Sequence, residues 1–183
     1  NGATPQLIVV FSSIVHDQQQ MLQGVRSVTG ATPLVGASTA GEFITEGPSK
    51  KSVVVMAIAG DKVAFHLGFA PNIKESPLEA GKALAADLKA KCPDGKFAMM
   101  LPDGLAGNGA DIVRGMQQVL GEQFLIAGGA AGDDFLFKQT YQYFNDQVLS
   151  GAVVGVMVGG ECSFGFGVRH GWKPIGTPMK VTK

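Results

Sequence analysis

Two short glycine-rich stretches hold the side chains best suited to chemistry. "LVGASTAGE" gathers Gly36, Ser38, Thr39, Gly41 and Glu42 directly after an apolar run, and "IAGGAAGDD" gathers Gly129, Gly132, Asp133 and Asp134. Glycine permits positive φ and close approach of a ligand to the backbone, and successive exposed amides form a nest for an anion. The Ser38 and Thr39 hydroxyls extend such a nest, while Glu42 and Asp133 suit an ammonium. An anion site beside a cation site describes an amino acid or another small zwitterion. The bland alternative is that these glycines only let strands bend and that the acids cap turns.

Reaction chemistry fits the same residues less well. "GASTA" resembles the G-x-S-x-A form of a nucleophile elbow, but an elbow feeds a helix that lifts its serine. Here "GEFITEGPSKK" follows, which reads as strand, turn and loop. A serine hydrolase also needs a base, and His16, His66 and His170 stand in no spacing that identifies one. A serine hydrolase-like enzyme is therefore the weakest alternative, and the chain is expected not to be an enzyme. "GGAAGDD" runs into acids instead of the helix that a dinucleotide fingerprint requires, and "LPDGLAGNGADI" lacks the G-K-[ST] of a P-loop.

His170, in "RHGWKPIG" beside Arg169 and Trp172, is the histidine best placed to line a pocket. His66 alternates with Phe65 and Leu67 on a strand, and His16 precedes the first helix. Any one of them could ligate a haem, although no C-x-x-C-H occurs.

The elements that must position these residues follow from hydrophobic period. "QLIVVFSS" is a short branched apolar run and reads as a buried strand. Met21, Leu22, Val25 and Val28 lie at helical spacing before Gly30, a C′ glycine, and "TPLVGAS" returns to strand. The same order recurs as "KFAMMLPDG", "NGADIVRGMQQVLG" with Asn108 or Asp111 near its start, and "FLIAGGAAGDD". Gly24 and Gly115, Gly30 and Gly121, Leu34 and Leu125, and Gly41 and Gly132 are each separated by 91 residues. Later, Gly60 and Gly159, Phe65 and Phe164, and Gly68 and Gly167 are separated by 99. The extra residues fall around "FKQTYQYFNDQVLS", where an added hairpin strand is expected.

A single domain over 1–183 is therefore expected, made of a repeat unit at 7–70, a connecting helix at 77–91 capped by Ser76 with Glu79 three residues on, and a second unit at 97–171. The fold class is α/β (mixed α+β). It is a layered sandwich of predominantly mixed or antiparallel sheet with helices outside and two pseudo-twofold β-α-β-β-β repeats. A four-layer αββα arrangement is the alternative, because fully apolar strands need cover on both faces.

Bulk composition narrows function. The chain of 183 residues balances 15 basic against 15 acidic residues, and no run exceeds two like charges, as in Lys50-Lys51 and Asp133-Asp134. Nucleic-acid and anionic-membrane surfaces need a basic excess, so neither partner is expected. "VVVMAIA" is far shorter than the roughly 20 residues of a membrane helix. Cys92 and Cys162 are too few and too far apart for a disulfide framework or a zinc site, and suit a reducing compartment.

In combination, "VFSS", "PLVGASTAGE", "LPDGLAGN", "IAGGAAGDDF", "QTYQYFND" and "HGWKPIG" followed by "MKVTK" span nearly the whole chain in order. This set resembles the N-terminal region of the FIST domain family, named for F-box and intracellular signal transduction proteins. The resemblance implies a cytoplasmic sensory domain that binds small molecules such as amino acids and requires no cofactor. Its implied partners are a C-terminal FIST region, not found in this sequence, and an output protein of histidine kinase, cyclase or chemoreceptor type. Some relatives look like haem proteins that sense nitric oxide and control histidine kinases, which makes haem on His170 or His66 the alternative. The family's first motif often has Cys before the Ser. Here Ala37 stands in that place, so no thiol chemistry or metal ligation is expected there.

Overall fold

The structure is a computed structural model that describes residue 2, residues 4–180 and residue 182. Asn1, Ala3, Val181 and Lys183, at the ends of the expected domain and of its "MKVTK" motif, lie outside the described residues. The first half runs β1 (Leu7–Ser13), α1 (Gln18–Thr29), β2 (Leu34–Thr39), β3 (Glu42–Ile44), β4 (Gly47–Ser49), β5 (Val53–Ile58) and β6 (Val63–Ala70). Helix α2 (Pro77–Lys91) connects it to β7 (Phe97–Pro102), α3 (Gly109–Leu120), β8 (Leu125–Gly128), β9 (Gln142–Phe144), β10 (Gln147–Leu149) and β11 (Val153–Gly160).

These strands form two stacked sheets, ordered β10-β9-β2-β1-β5 and β6-β11-β7-β8, with β3-β4 as a separate hairpin. Side-chain alternation explains the stacking. Leu7 and Val9 of β1 point into an apolar layer shared with Leu67, Leu101, Val154 and Val156 of the other sheet. Ile8 and Val10 point the other way, onto Leu22 of α1. The second sheet likewise turns Ala98, Met100 and Met157 toward Leu84 and Leu88 of α2 and Ile112 and Met116 of α3. The layers are thus helix, sheet, sheet, helix, which is why the strands are apolar on both faces.

Local chemistry sets the helix ends. Asp17 caps α1 by accepting from the Gln20 N–H at 2.8 Å, and Asn108 caps α3 by accepting from the Ala110 N–H at 3.0 Å. Ser76 occupies the N-cap of α2 but makes no side-chain cap bond, and Glu79 pairs with Lys82 instead, so the expected capping box does not form. α2 and α3 cross where each has a glycine. A Cβ on Gly81 would sit 2.2 Å from the Ile112 carbonyl oxygen, and one on Gly115 would sit 2.1 Å from that of Leu78.

One expectation from the repeat is corrected, and the structure adds three departures from a simple repeat. A hairpin is present in both halves and is not an addition to the second. The second-half hairpin leaves its own sheet and pairs through β9 with β2, Gly36 opposite Tyr143. "SFGFGV", aligned by the 99-residue interval with a strand of the first half, lies beyond the last strand and has no regular structure. The spacing also slides by one residue at the strands. Phe97, not Ala98, faces the inter-sheet layer as Leu7 does, because side-chain direction obeys the pleat and not the helix-derived interval.

Gly36 sits in mid-strand, where a Cβ would meet the Val10 carbonyl oxygen at 2.1 Å and the Tyr143 ring at 2.8 Å. Tyr143 is wholly buried there and donates its hydroxyl to Gln18 Oε1. Gly36→Ala is expected to lower unfolding free energy by about 1–3 kcal/mol through overpacking. Gly129→Ala, with open space at its Cβ, should change it by less than about 0.5 kcal/mol. Denaturant unfolding of the two variants measures the contrast.

Candidate functional site

β2 and β8 run out of their sheets into the two glycine turns, and the turns meet. Ser38, fully buried, accepts the Gly132 N–H on its carbonyl at 2.8 Å and donates its hydroxyl to the Gly132 carbonyl at 2.6 Å. The same hydroxyl accepts the Tyr141 N–H at 2.9 Å, and the Ser38 N–H donates to the Tyr141 carbonyl at 2.9 Å. A Cβ on Gly132 would lie 2.9 Å from the Ala40 nitrogen, so the second turn packs directly on the first.

The acids around this junction divide by what holds them. Buried Glu42 accepts from Thr39 Oγ1 at 2.7 Å and from Ser52 Oγ at 2.6 Å. Buried Asp133 accepts the N–H groups of Phe137, Lys138 and Gln139 at 3.0, 2.6 and 3.2 Å. Burial alone would push its pKa up, but the backbone donors of Lys138 and Phe137, followed by Gln139 and Leu136, hold it below the ordinary 3.8. Asp134 is half-buried and accepts one bond, 2.6 Å from Ser13 Oγ.

Asp134 lines a cavity of about 350 Å³ together with Val15, Ala40, Lys50, Lys51, Phe135 and Leu136. It therefore opens between the first glycine turn, through Ala40, and the segment that follows the second. A neighbouring recess of about 260 Å³ lies on the other side of the first turn, lined by Phe11, Thr39, Gly41, Glu42, Phe43 and Val54. One cavity thus offers two cationic side chains, one carboxylate and an apolar wall.

A model of the FIST N domain matches residues 6–183. The chain belongs to the FIST N domain family. FIST domains are sensory domains of signal transduction proteins. No curated protein matches this chain.

Within this FIST N domain the residues singled out by sequence scatter into different roles. Ser38, Gly132, Thr39, Glu42 and Asp133 come together at the junction, where their polar atoms bond to one another or to neighbouring backbone. Gly36 packs under Tyr143, Gly41 borders the smaller recess and Gly129 is exposed. Asp134 reaches the larger cavity. His170 is exposed on the segment after β11 and does not line that cavity. His66 borders a separate cavity of about 480 Å³ with Arg26, Phe65, Lys91, Phe144 and Asp146. Among the described residues no group of three His, Cys, Asp or Glu is placed to hold a metal ion, and no helix is long and apolar enough to cross a membrane.

Sequence reasoning missed Lys50 and Lys51 as residues that line the larger cavity, along with Val15, Phe135 and Leu136. The Lys50-Lys51 doublet was the available signal, since it falls between a short hairpin and a strand, where loops gather at sheet ends. It also missed Asp103, which is buried and accepts the Leu105 and Gly151 N–H groups at 2.8 Å each.

Two outcomes check this division. Ser38→Ala strands the Tyr141 N–H and should cost about 1–3 kcal/mol in chemical unfolding. Asp133 has a folded pKa below its unfolded 3.8, so it contributes stability above that value and loses it as pH falls through the folded pKa. The stability gap between wild type and Asp133→Asn should therefore hold constant through the neutral range and narrow only below about pH 4.

Proposed function

We propose that this FIST N domain senses an amino acid or a similar small zwitterion in the cavity between Lys50, Lys51 and Asp134. The observation that carries the reading is the presence of both charge signs on one cavity of about 350 Å³ at the meeting point of the two glycine turns. Lys50 and Lys51 suit the ligand carboxylate, Asp134 suits its ammonium, and Val15, Phe135 and Leu136 suit an apolar side chain. That volume is at the lower end of small-molecule sites.

The domain works by binding and not by chemistry. Supporting this, the Ser38 hydroxyl is buried and already donates to the Gly132 carbonyl, so it lacks the exposure and the adjacent base of a nucleophile. Signalling follows from a ligand that favours one conformation of the 134–137 segment over another. The readout passes to a C-terminal FIST region and to a cytoplasmic output protein of histidine kinase, cyclase or chemoreceptor type.

Thermal shift against the amino acids individually is the test. A ligand at a hundred times its Kd should add about 2.7 kcal/mol of stability. Asp134→Asn and the Lys50→Ala, Lys51→Ala pair should each abolish the shift, while Asp61→Asn should keep it. No amino acid raising the melting temperature, or a full shift retained in all variants, would sink the reading.

A second reading rests on His66. Its cavity sets the apolar surfaces of Phe65, Leu67 and Phe144 beside two cations, Arg26, paired with Asp146 at 2.8 Å, and Lys91, paired with Asp87 at 2.6 Å, so a flat apolar group bearing carboxylates, as haem is, would compete with those acids for them. His66 would hold the haem iron there, and the iron would supply a site for a gas such as nitric oxide. A Soret band that is lost in His66→Ala and kept in His170→Ala supports it. No band after haem reconstitution excludes it.

A further inference from the structure

Among the described residues β5 has a neighbour on one side, β1, whereas β11 is flanked by both β7 and β6. The antiparallel ladder fixes which β5 groups are unpaired. The Ser13 N–H donates to the Ser52 carbonyl at 3.0 Å, and in step with it Val54, Met56 and Ile58 turn their backbone groups toward β1. Val53, Val55 and Ala57 turn theirs outward. Such an edge is a template for another strand, and it is apolar, with Val55 and Met56 exposed at 44% and 50%.

Beside this edge the two sheets part. A cleft of about 280 Å³ opens between them, walled by Leu7, Val9, Met56, Ile58, Phe97 and Met99 among other apolar side chains. Cys162 and Phe164, from the segment after β11, already lie on its wall. Phe164 and Phe166 both rest against Phe97, at ring-centroid distances of 4.8 and 5.7 Å. Their sequence, "FGFGV", alternates large apolar residues with glycine, the period of a strand with one buried face.

We propose that Ser163–Val168 adds to the free edge of β5 as an antiparallel strand and closes the inter-sheet cleft. The four-stranded sheet supplies the register. Met56 opposes Val9 as Val156 opposes Met99, and Val156 in turn opposes Leu67. Phe65 and Leu67 face the inter-sheet layer, and Phe164 and Phe166 rest on Phe97 of that same layer, so the pleat makes Phe166 the counterpart of Leu67. Met56 therefore faces Phe166, Ile58 faces Phe164 and Val54 faces Val168, all on the cleft side. Val55 and Ala57 exchange backbone bonds with Gly167 and Gly165.

This register also moves a histidine. His170 comes opposite Ser52, next to Lys51 at the mouth of the zwitterion cavity, a consequence that rests on the function proposed above. It gives His170 a place at the site that its exposed position on the extended segment does not.

Amide exchange on the unaltered chain tests the strand directly. Val55 and Ala57 should exchange slowly, and Gly165→Pro with Gly167→Pro, which removes both donors, should speed them while leaving α3 unchanged. In a Cys162→Ser background, Met56→Cys with Phe166→Cys should form an intrachain disulfide, and Met56→Cys with Gly165→Cys should not. Fast exchange at Val55 and Ala57 in the unaltered chain, equal cross-linking in both pairs, or a disulfide between copies of the chain would overturn the proposal. His170→Ala should weaken the amino-acid thermal shift. An unchanged shift with the cross-link formed overturns the placement of His170 but leaves the strand standing.

Discussion

The bond exchange at Ser38 is the constraint on which the arrangement of this domain depends. Through its N–H, carbonyl and hydroxyl, one residue at the end of β2 joins both Gly132 and Tyr141. Ser38 is fully buried, and a polar group left unmet there costs about 1–3 kcal/mol. Because Gly132 follows β8 of one sheet and Tyr141 precedes β9 of the other, the junction pins the sheets at one end. The apolar layer between them is non-directional and would tolerate sliding. The polar knot is what gives it one register, and with it the position of the cavity walls.

The same reasoning sorts the acids. A buried carboxylate must be matched by donors or it is strongly disfavoured. Glu42, Asp133 and Asp103 each meet that condition with donors built into the fold, hydroxyls for the first and backbone N–H groups for the other two. A ligand ammonium competing for any of them would have to displace bonds that hold a turn together. Asp134 differs because it is only half-buried and keeps acceptor capacity beyond Ser13. The acid after each glycine turn is thus held by bonds within the fold, and Asp134, which follows the second of them, is the one with acceptor capacity left.

Much of this was legible in the residues themselves. Strands apolar on both faces announced cover from both sides, and α2 spans Pro77–Lys91, the bounds expected for the connecting helix. The glycine turns were legible as features but not in their meaning. Ser38 reads as a nucleophile or ligand group because nothing local reveals that its partners lie 94 and 103 residues away. The transfer of the β9-β10 hairpin onto β2 is hidden for the same reason, since a short strand carries no mark of which edge it will join. The cavity draws on residues 15, 40, 50, 51 and 134–136, from four separate stretches of chain. No spacing within any one of them signals it.

The segment after the second turn is held in an unusual backbone conformation. Asp134, Phe135 and Phe137 all have positive φ, between 53° and 63°, a conformation that costs non-glycine residues energy unless surrounding structure imposes it. Here the imposing structure is Asp133, whose carboxylate gathers the N–H groups of residues 137 to 139 into a closed loop. That clamp leaves Phe135 and Phe137 each 74% exposed, an apolar tip with no local packing to fix it. A ligand joining Asp134 to Lys50 and Lys51 ties this strained loop to the chain entering β5, the edge on which the Ser163–Val168 strand would dock. Only a difference in affinity between two loop states can shift their populations. Under the function proposed above, the facing charges of Asp134, Lys50 and Lys51 supply that difference in affinity, at the loop and the lysine pair and not at the buried serine beneath them.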